Sequence, residues 1–137
     1  MASPARTQSH IAVTGAFRLS YPAGWNRQEG EGVLSLWKSE RGGAITVSSV
    51  VSTDPSRSGN ALEHCTRFAG KHAFDPPRIS GDQNVAEAAF TDQDGAWCKV
   101  RILAAGPRMV LGTYHATLED ALEEAEADGI LASLALA

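Results

Sequence analysis

Cysteine is scarce in this chain: Cys65 and Cys98 are the only two in 137 residues. They allow one disulfide but not a disulfide framework, and a domain of this length buries a sufficient core without staples. Two reduced thiols are therefore expected. No apolar run approaches the length of a membrane span, so no membrane partner is expected. The opening MASPARTQSH has one Arg and no apolar stretch, so it does not read as a secretory signal, and the expected location is the cytoplasm. Basic residues are outnumbered, 12 against 16 acidic, for a formal charge of -4. That speaks against nucleic acid as the partner, because phosphate binding needs a basic surface. The 13 glycines form neither a P-loop nor a G-x-G-x-x-G, so both nucleotide fingerprints are missing. No cofactor is expected.

What is present is ordinary globular material, 43% hydrophobic and 20% charged, enough for one domain. Residues 1–11 are small and polar and are expected to be a flexible segment, with a single α+β domain over 12–137. Phe17, Leu19 and Tyr21 alternate with Arg18 and Ser20, the pattern of a half-buried strand. Pro22 ends it, Gly24 turns the chain, and Trp25 is placed to fold over the end of the sheet. Val33–Lys38 and the β-branched Ala44–Val51 are expected to pair as a hairpin across Arg41-Gly42-Gly43. A polar break follows at Asp54–Gly59. Asn60 suits the N-cap of a helix running to His72, with Cys65 and Ala69 on its apolar face and Glu63 four residues before Arg67. Pro76-Pro77 ends any continuation.

The second half reads as a meander. Val85–Thr91 is a strand, Asp92-Gln93-Asp94-Gly95 a turn, and Trp97–Leu103 an alternating strand. In that strand Cys98, Val100 and Ile102 point one way and Trp97, Lys99 and Arg101 the other. Gly106-Pro107 turns into Arg108–His115, the most continuously apolar strand and hence a central one. A second helix is expected over Leu118–Leu134, with Thr117 and Asp120 as a capping box. Its expected buried stripe is Leu118, Leu122, Ala125, Gly129 and the Ile130, Leu131, Leu134 cluster. Its expected wet face is Glu119, Glu123, Glu124, Glu126 and Asp128. The resulting class is α+β: a twisted antiparallel sheet of about six strands with two main helices.

Phe17-Arg18-Leu19-Ser20-Tyr21-Pro22-Ala23-Gly24-Trp25 resembles the opening strand and turn of the PsbP-like fold. Ile130-Leu131-Ala132-Ser133-Leu134 resembles its closing hydrophobic-Ser-hydrophobic signature. Gly43-Ala44-Ile45-Thr46-Val47-Ser48 and Val110-Leu111-Gly112-Thr113-Tyr114 are similar to segments of small bacterial proteins of unknown function. The resemblance spans about residues 16–134 and implies an α/β/α sandwich with helices on both sides of the sheet. That fold is shared by a photosystem II extrinsic protein and a Ran-GTPase release factor, and fold alone does not fix function.

Catalytic chemistry finds little support. His64 and Cys65 point about 100° apart on a helix and do not face each other. Cys65 and Cys98 lie on inward faces, where a thiol is inert packing. Cys65 and His72 share a face but stand about 10 Å apart along the axis, too far to share one ion. His10 and His115 lie in other segments, so neither a catalytic residue nor a metal site is expected. Exposed Trp beside basic side chains is the composition of a binding surface, which makes Trp97, Lys99 and Arg101 the first candidates. Cover from a helix would instead bury Trp97 beneath the Lys and Arg stems. The expected function is a non-catalytic protein-binding domain of accessory or immunity type, with an unidentified protein partner. The alternative is a small enzyme or ligand-binding domain with a pocket near Trp25, Trp37 and Tyr114.

Overall fold

The computed structural model describes residues 9–52 and 59–137. The polar break expected from Asp54 lies outside them except for Gly59, as does the first part of the segment expected to be flexible. Among the described residues there are ten strands in two antiparallel sheets, and two helices. The strands are β1 (Ser9–Val13), β2 (Phe17–Pro22), β3 (Asn26–Gly30), β4 (Val33–Trp37), β5 (Ala44–Val51), β6 (Arg78–Gly81), β7 (Val85–Thr91), β8 (Trp97–Ala105), β9 (Arg108–Ala116) and β10 (Ala135–Leu136). The helices are α1 (Ala61–His72) and α2 (Ala121–Ala132). No helix among the described residues is long and apolar enough to cross a membrane.

The larger sheet has the order β3-β4-β5-β9-β8-β7-β6, so β9 is its central strand, as its apolar run predicts. The smaller sheet has the order β1-β2-β10. The strand number exceeds the expected six because β1, β3, β6 and β10 are short or polar and carry weak periodicity. β3 reads NRQEG and is exposed throughout. β1 also corrects the expected flexible segment, since Ser9, His10 and Ile11 pair with Pro22, Tyr21 and Ser20.

Alternation along β8 and β9 sends side chains to two separate cores. On one side, Cys98, Val100, Ile102 and Ala104 meet Ala61, Cys65 and Ala69 of α1. On the other, Val110 and Tyr114, with Leu34, Leu36, Ile45 and Val47, meet Ala127, Ile130 and Leu131 of α2 and Phe17 and Leu19 of β2. The two helices thus lie on opposite faces of the large sheet. Asn60 caps α1 by accepting the Glu63 N–H at 3.1 Å.

α2 departs from expectation in both extent and rotation. It starts at Ala121 with Asp120 as N-cap, accepting the Glu123 N–H at 3.0 Å, so Thr117 is not the cap. Its buried residues are Glu123, Ala127, Ile130 and Leu131. Leu118 and Leu122 are instead 58% and 69% exposed, and Ala125 and Gly129 are exposed beside them. Of the acids expected in water, Glu119 is exposed, whereas Glu123, Glu124, Glu126 and Asp128 bond groups on the sheet side. Glu126 bonds the Lys38 ammonium at 2.7 Å and the Trp25 indole N–H at 2.8 Å. Glu124 and Asp128 both pair with Lys99.

Two of the motifs behind the PsbP-like resemblance have structural roles here. Ser133 Oγ accepts the Ser20 N–H at 2.9 Å, tying the end of α2 to β2. Gly24 takes φ +99 at the turn, and Trp25 closes the core at 7% exposure.

Candidate functional site

Trp97, Lys99 and Arg101 do share the α2 side of β8, and that side is covered. Trp97 is half-buried against the α2 core. Lys99 Nζ lies 6.0 Å from the Trp97 ring centroid, beneath the carboxylates of Glu124 and Asp128. Arg101 pairs with Glu87 on the neighbouring strand. The three residues therefore fasten α2 and β7 to the sheet rather than standing free.

Trp25, Trp37 and Tyr114 do not line one pocket. Trp25 and Tyr114 point into the α2 core, whereas Trp37 sits on the opposite face, because it alternates with the buried Leu36. Tyr114 is bound internally, its hydroxyl donating to Glu123 Oε1 at 2.7 Å. Burial first, and the Glu123 bond second, raise its phenol well above the ordinary range. The same Glu123 oxygen accepts the Gly43 N–H at 2.6 Å. One buried carboxylate thus joins the β4–β5 turn, the central strand and α2.

Two clefts open on the α2 side. One, of about 480 Å³, runs between β6, β7 and the end of α2, past Arg78, Glu87, Lys99 and Arg101. Its cations other than Arg78 are already paired. The other, of about 400 Å³, lies beside Trp97, Glu119, Asp120 and Glu124. Two buried donors in this region, Trp97 Nε1 and Arg101 Nε, have no hydrogen-bond partner.

On the opposite face of the sheet, at the start of β8, a different group converges. Asp92, in the β7–β8 turn, accepts the Asp94 and Ala96 N–H groups on Oδ1, each at 2.9 Å. Its Oδ2 lies 3.0 Å from His115 Nε2 and 3.8 Å from Cys98 Sγ. The Ala96 N–H first, with help from His115, holds the Asp92 carboxyl below the ordinary carboxylate range. Burial pushes the Cys98 thiol up to about 11, so it is a neutral thiol at physiological pH. Cys98 pairs directly with His115 across β8 and β9. An acid does stand within reach of His115, but the imidazole is half exposed and lines neither cleft. That arrangement lacks the enclosed, activated nucleophile that covalent catalysis requires.

A crystal structure from Bacteroides thetaiotaomicron VPI-5482, determined at 1.50 Å resolution, is similar in fold, with a TM-score of 0.60 at 17% identity. The similarity covers 96% of this chain and 49% of that one, so this chain spans about half the length of its structural neighbour. No protein-family model matches the sequence, and no curated protein matches it.

Proposed function

We propose that this chain is a non-catalytic, cytoplasmic protein-binding domain of PsbP-like type, and that its partner docks along the outward side of α2. The observation that carries this is the rotation of that helix. Leu122, Ala125 and Gly129 recur at helical spacing along α2, Leu118 lies just before its N-cap, and all four stand in water, while acids of the helix bond groups of the protein's own sheet side. Each leucine left exposed forgoes about 1.5–3 kcal/mol that burial would contribute. Ala125 and Gly129 keep the stripe low, which suits the close approach of a second helix. Exposed Glu119, next to Leu118, favours a partner helix whose apolar ridge is flanked by Lys or Arg. An accessory or immunity-type role is compatible with such a surface.

The test compares affinity capture from the source cell by the wild-type chain and by the Leu118→Glu/Leu122→Glu variant. A partner held stoichiometrically by the wild type and released by the variant supports the proposal. Equal capture by both, or no stoichiometric partner at all, counts against it. Light scattering on the isolated chain adds one outcome: a wild-type dimer that the variant converts to monomer would replace the foreign partner with a second copy.

A further inference from the structure

We infer that Asp92, Cys98 and His115 form a three-ligand site for a divalent transition metal of the zinc class. Their ligand atoms lie within 4.8 Å of one another, contributed by one turn and two adjacent strands. A tetrahedral zinc ion, with bonds of about 2.3 Å to sulfur and about 2.0–2.1 Å to nitrogen and oxygen, needs an S···O edge of about 3.6 Å and an N···O edge of about 3.3 Å. The corresponding distances here are 3.8 Å for Sγ···Oδ2 and 3.0 Å for Nε2···Oδ2. Both edges are within a few tenths of an ångström of the requirement. The remaining S···N edge lies within 4.8 Å and closes by a small rotation of His115, whose side chain is 52% exposed.

The surroundings have the form of a supported site. Asp92 is the anchor, because its Oδ1 is held by two backbone N–H groups while Oδ2 faces the other two ligands, His115 and Cys98. Such outer bonds orient a ligand carboxylate and tune its donor strength. Cys98 lies on the floor of the site, 8% exposed, and His115 forms its mouth, giving an ion an entry path from solvent. The donor set of one thiolate, one imidazole and one carboxylate excludes calcium and magnesium, which require oxygen cages, and suits zinc. Binding exchanges the thiol proton and the His115 Nε2 proton, if present, for the ion. Three protein ligands leave a fourth position facing water, as in open zinc sites.

The experiment is a titration of the full chain with Zn²⁺ by calorimetry and with Co²⁺ by absorbance, under reducing conditions. One ion per chain is expected, with a thiolate-to-cobalt charge-transfer band in the near ultraviolet and the visible spectrum of four-coordinate cobalt. His115→Ala, a substitution at an exposed side chain, should weaken binding by on the order of a hundredfold, since even outer-shell partners of metal ligands are worth 10–100-fold. Cys98→Ala should abolish the charge-transfer band, and Cys65→Ala should leave it intact. Failure of the wild-type chain to bind Zn²⁺ at micromolar concentration would overturn the inference. So would binding without the band, or binding unchanged in His115→Ala. None of these outcomes depends on the surface of α2, so the two proposals fail separately.

Discussion

Replacing Glu123 tests whether a charged residue inside the core holds this fold together. The carboxylate is 4% exposed. Its Oε1 accepts the Gly43 N–H at 2.6 Å and the Tyr114 hydroxyl at 2.7 Å. Glu123→Leu keeps the volume but orphans both donors in a dry environment. Each buried unsatisfied donor costs about 1–3 kcal/mol, so the loss should be about 2–6 kcal/mol. For a domain of this size that lowers the melting temperature by on the order of 10–15 °C. Glu123→Gln retains an oxygen that can accept both bonds. It loses the charge assistance but also sheds the cost of burying a charge, so its penalty should be about 1 kcal/mol or less. Urea unfolding followed by tryptophan fluorescence and circular dichroism measures both variants. Tyr114→Phe completes a double-mutant cycle, in which about 1–2 kcal/mol of coupling to Glu123 is expected. A Leu variant within about 1 kcal/mol of wild type, or a Gln variant as costly as Leu, would refute the idea that Glu123 holds these elements together.

Other substitutions separate backbone from packing effects. Gly43→Ala would place a Cβ 2.6 Å from the Tyr114 ring and 2.8 Å from the His115 carbonyl, and should cost about 2–3 kcal/mol by overpacking. Gly70→Ala, in α1 with nothing within 4 Å, should instead stabilise by about 1 kcal/mol, because Ala is the better helix former; chemical denaturation measures both. Cys65 and Cys98 are pushed up to about 11, chiefly by burial, so neither should react with an aromatic disulfide reagent at neutral pH in the native state, and both should react in denaturant. The raised Tyr114 pKa implies full stability below the unfolded phenol value of about 10. Above that pH the unfolded chain ionises while the folded phenol resists, so wild type should lose about 1.4 kcal/mol per pH unit relative to Tyr114→Phe. Matched alkaline denaturation curves would refute this.

Much of the strand framework is legible from local pattern. Ala44–Val51, Val85–Thr91 and the Asn60 cap occur where β-branching, alternation and capping chemistry place them. The opposite faces of Trp97 and Cys98 follow from the two-residue period alone. β3 and β10 are not legible in this way, since NRQEG and Ala-Leu pair through backbone hydrogen bonds that any side chain permits.

The Asp92–Cys98–His115 group was within reach of the same reasoning once register is counted. The Gly106-Pro107 turn pairs Ala105 with Arg108, and stepping seven residues outward along both strands places Cys98 opposite His115. The preceding turn runs from Asp92 to Ala96 and pairs Phe90 with Cys98, which brings Asp92 to the same end of the sheet. Two ligands on one segment, as with Cys65 and His72, are too far apart, whereas this site is assembled from one turn and two adjacent strands.

The rotation of α2 has no comparable local signal. The segment from Leu118 to Leu134, which contains α2, carries two stripes at the same helical spacing, one through Leu118, Leu122, Ala125 and Gly129 and one through Glu123, Ala127, Ile130, Leu131 and Leu134. They lie roughly 150° apart around the axis. Periodicity weighs them equally, and an acid in the second argues for the wrong choice. The sheet reverses that choice. It offers Gly43 N–H and Tyr114 hydroxyl to Glu123, and Lys38, Lys99 and the Trp25 indole to the neighbouring acids. Burying the acids is then no longer costly, because each finds a donor. The bulk of Ile130, Leu131 and Leu134 supplies more apolar area than Ala125 and Gly129 can. The leucines of the first stripe are left outside as the consequence, which is why the surface proposed to bind a partner coincides with the residues that pattern alone assigns to the core.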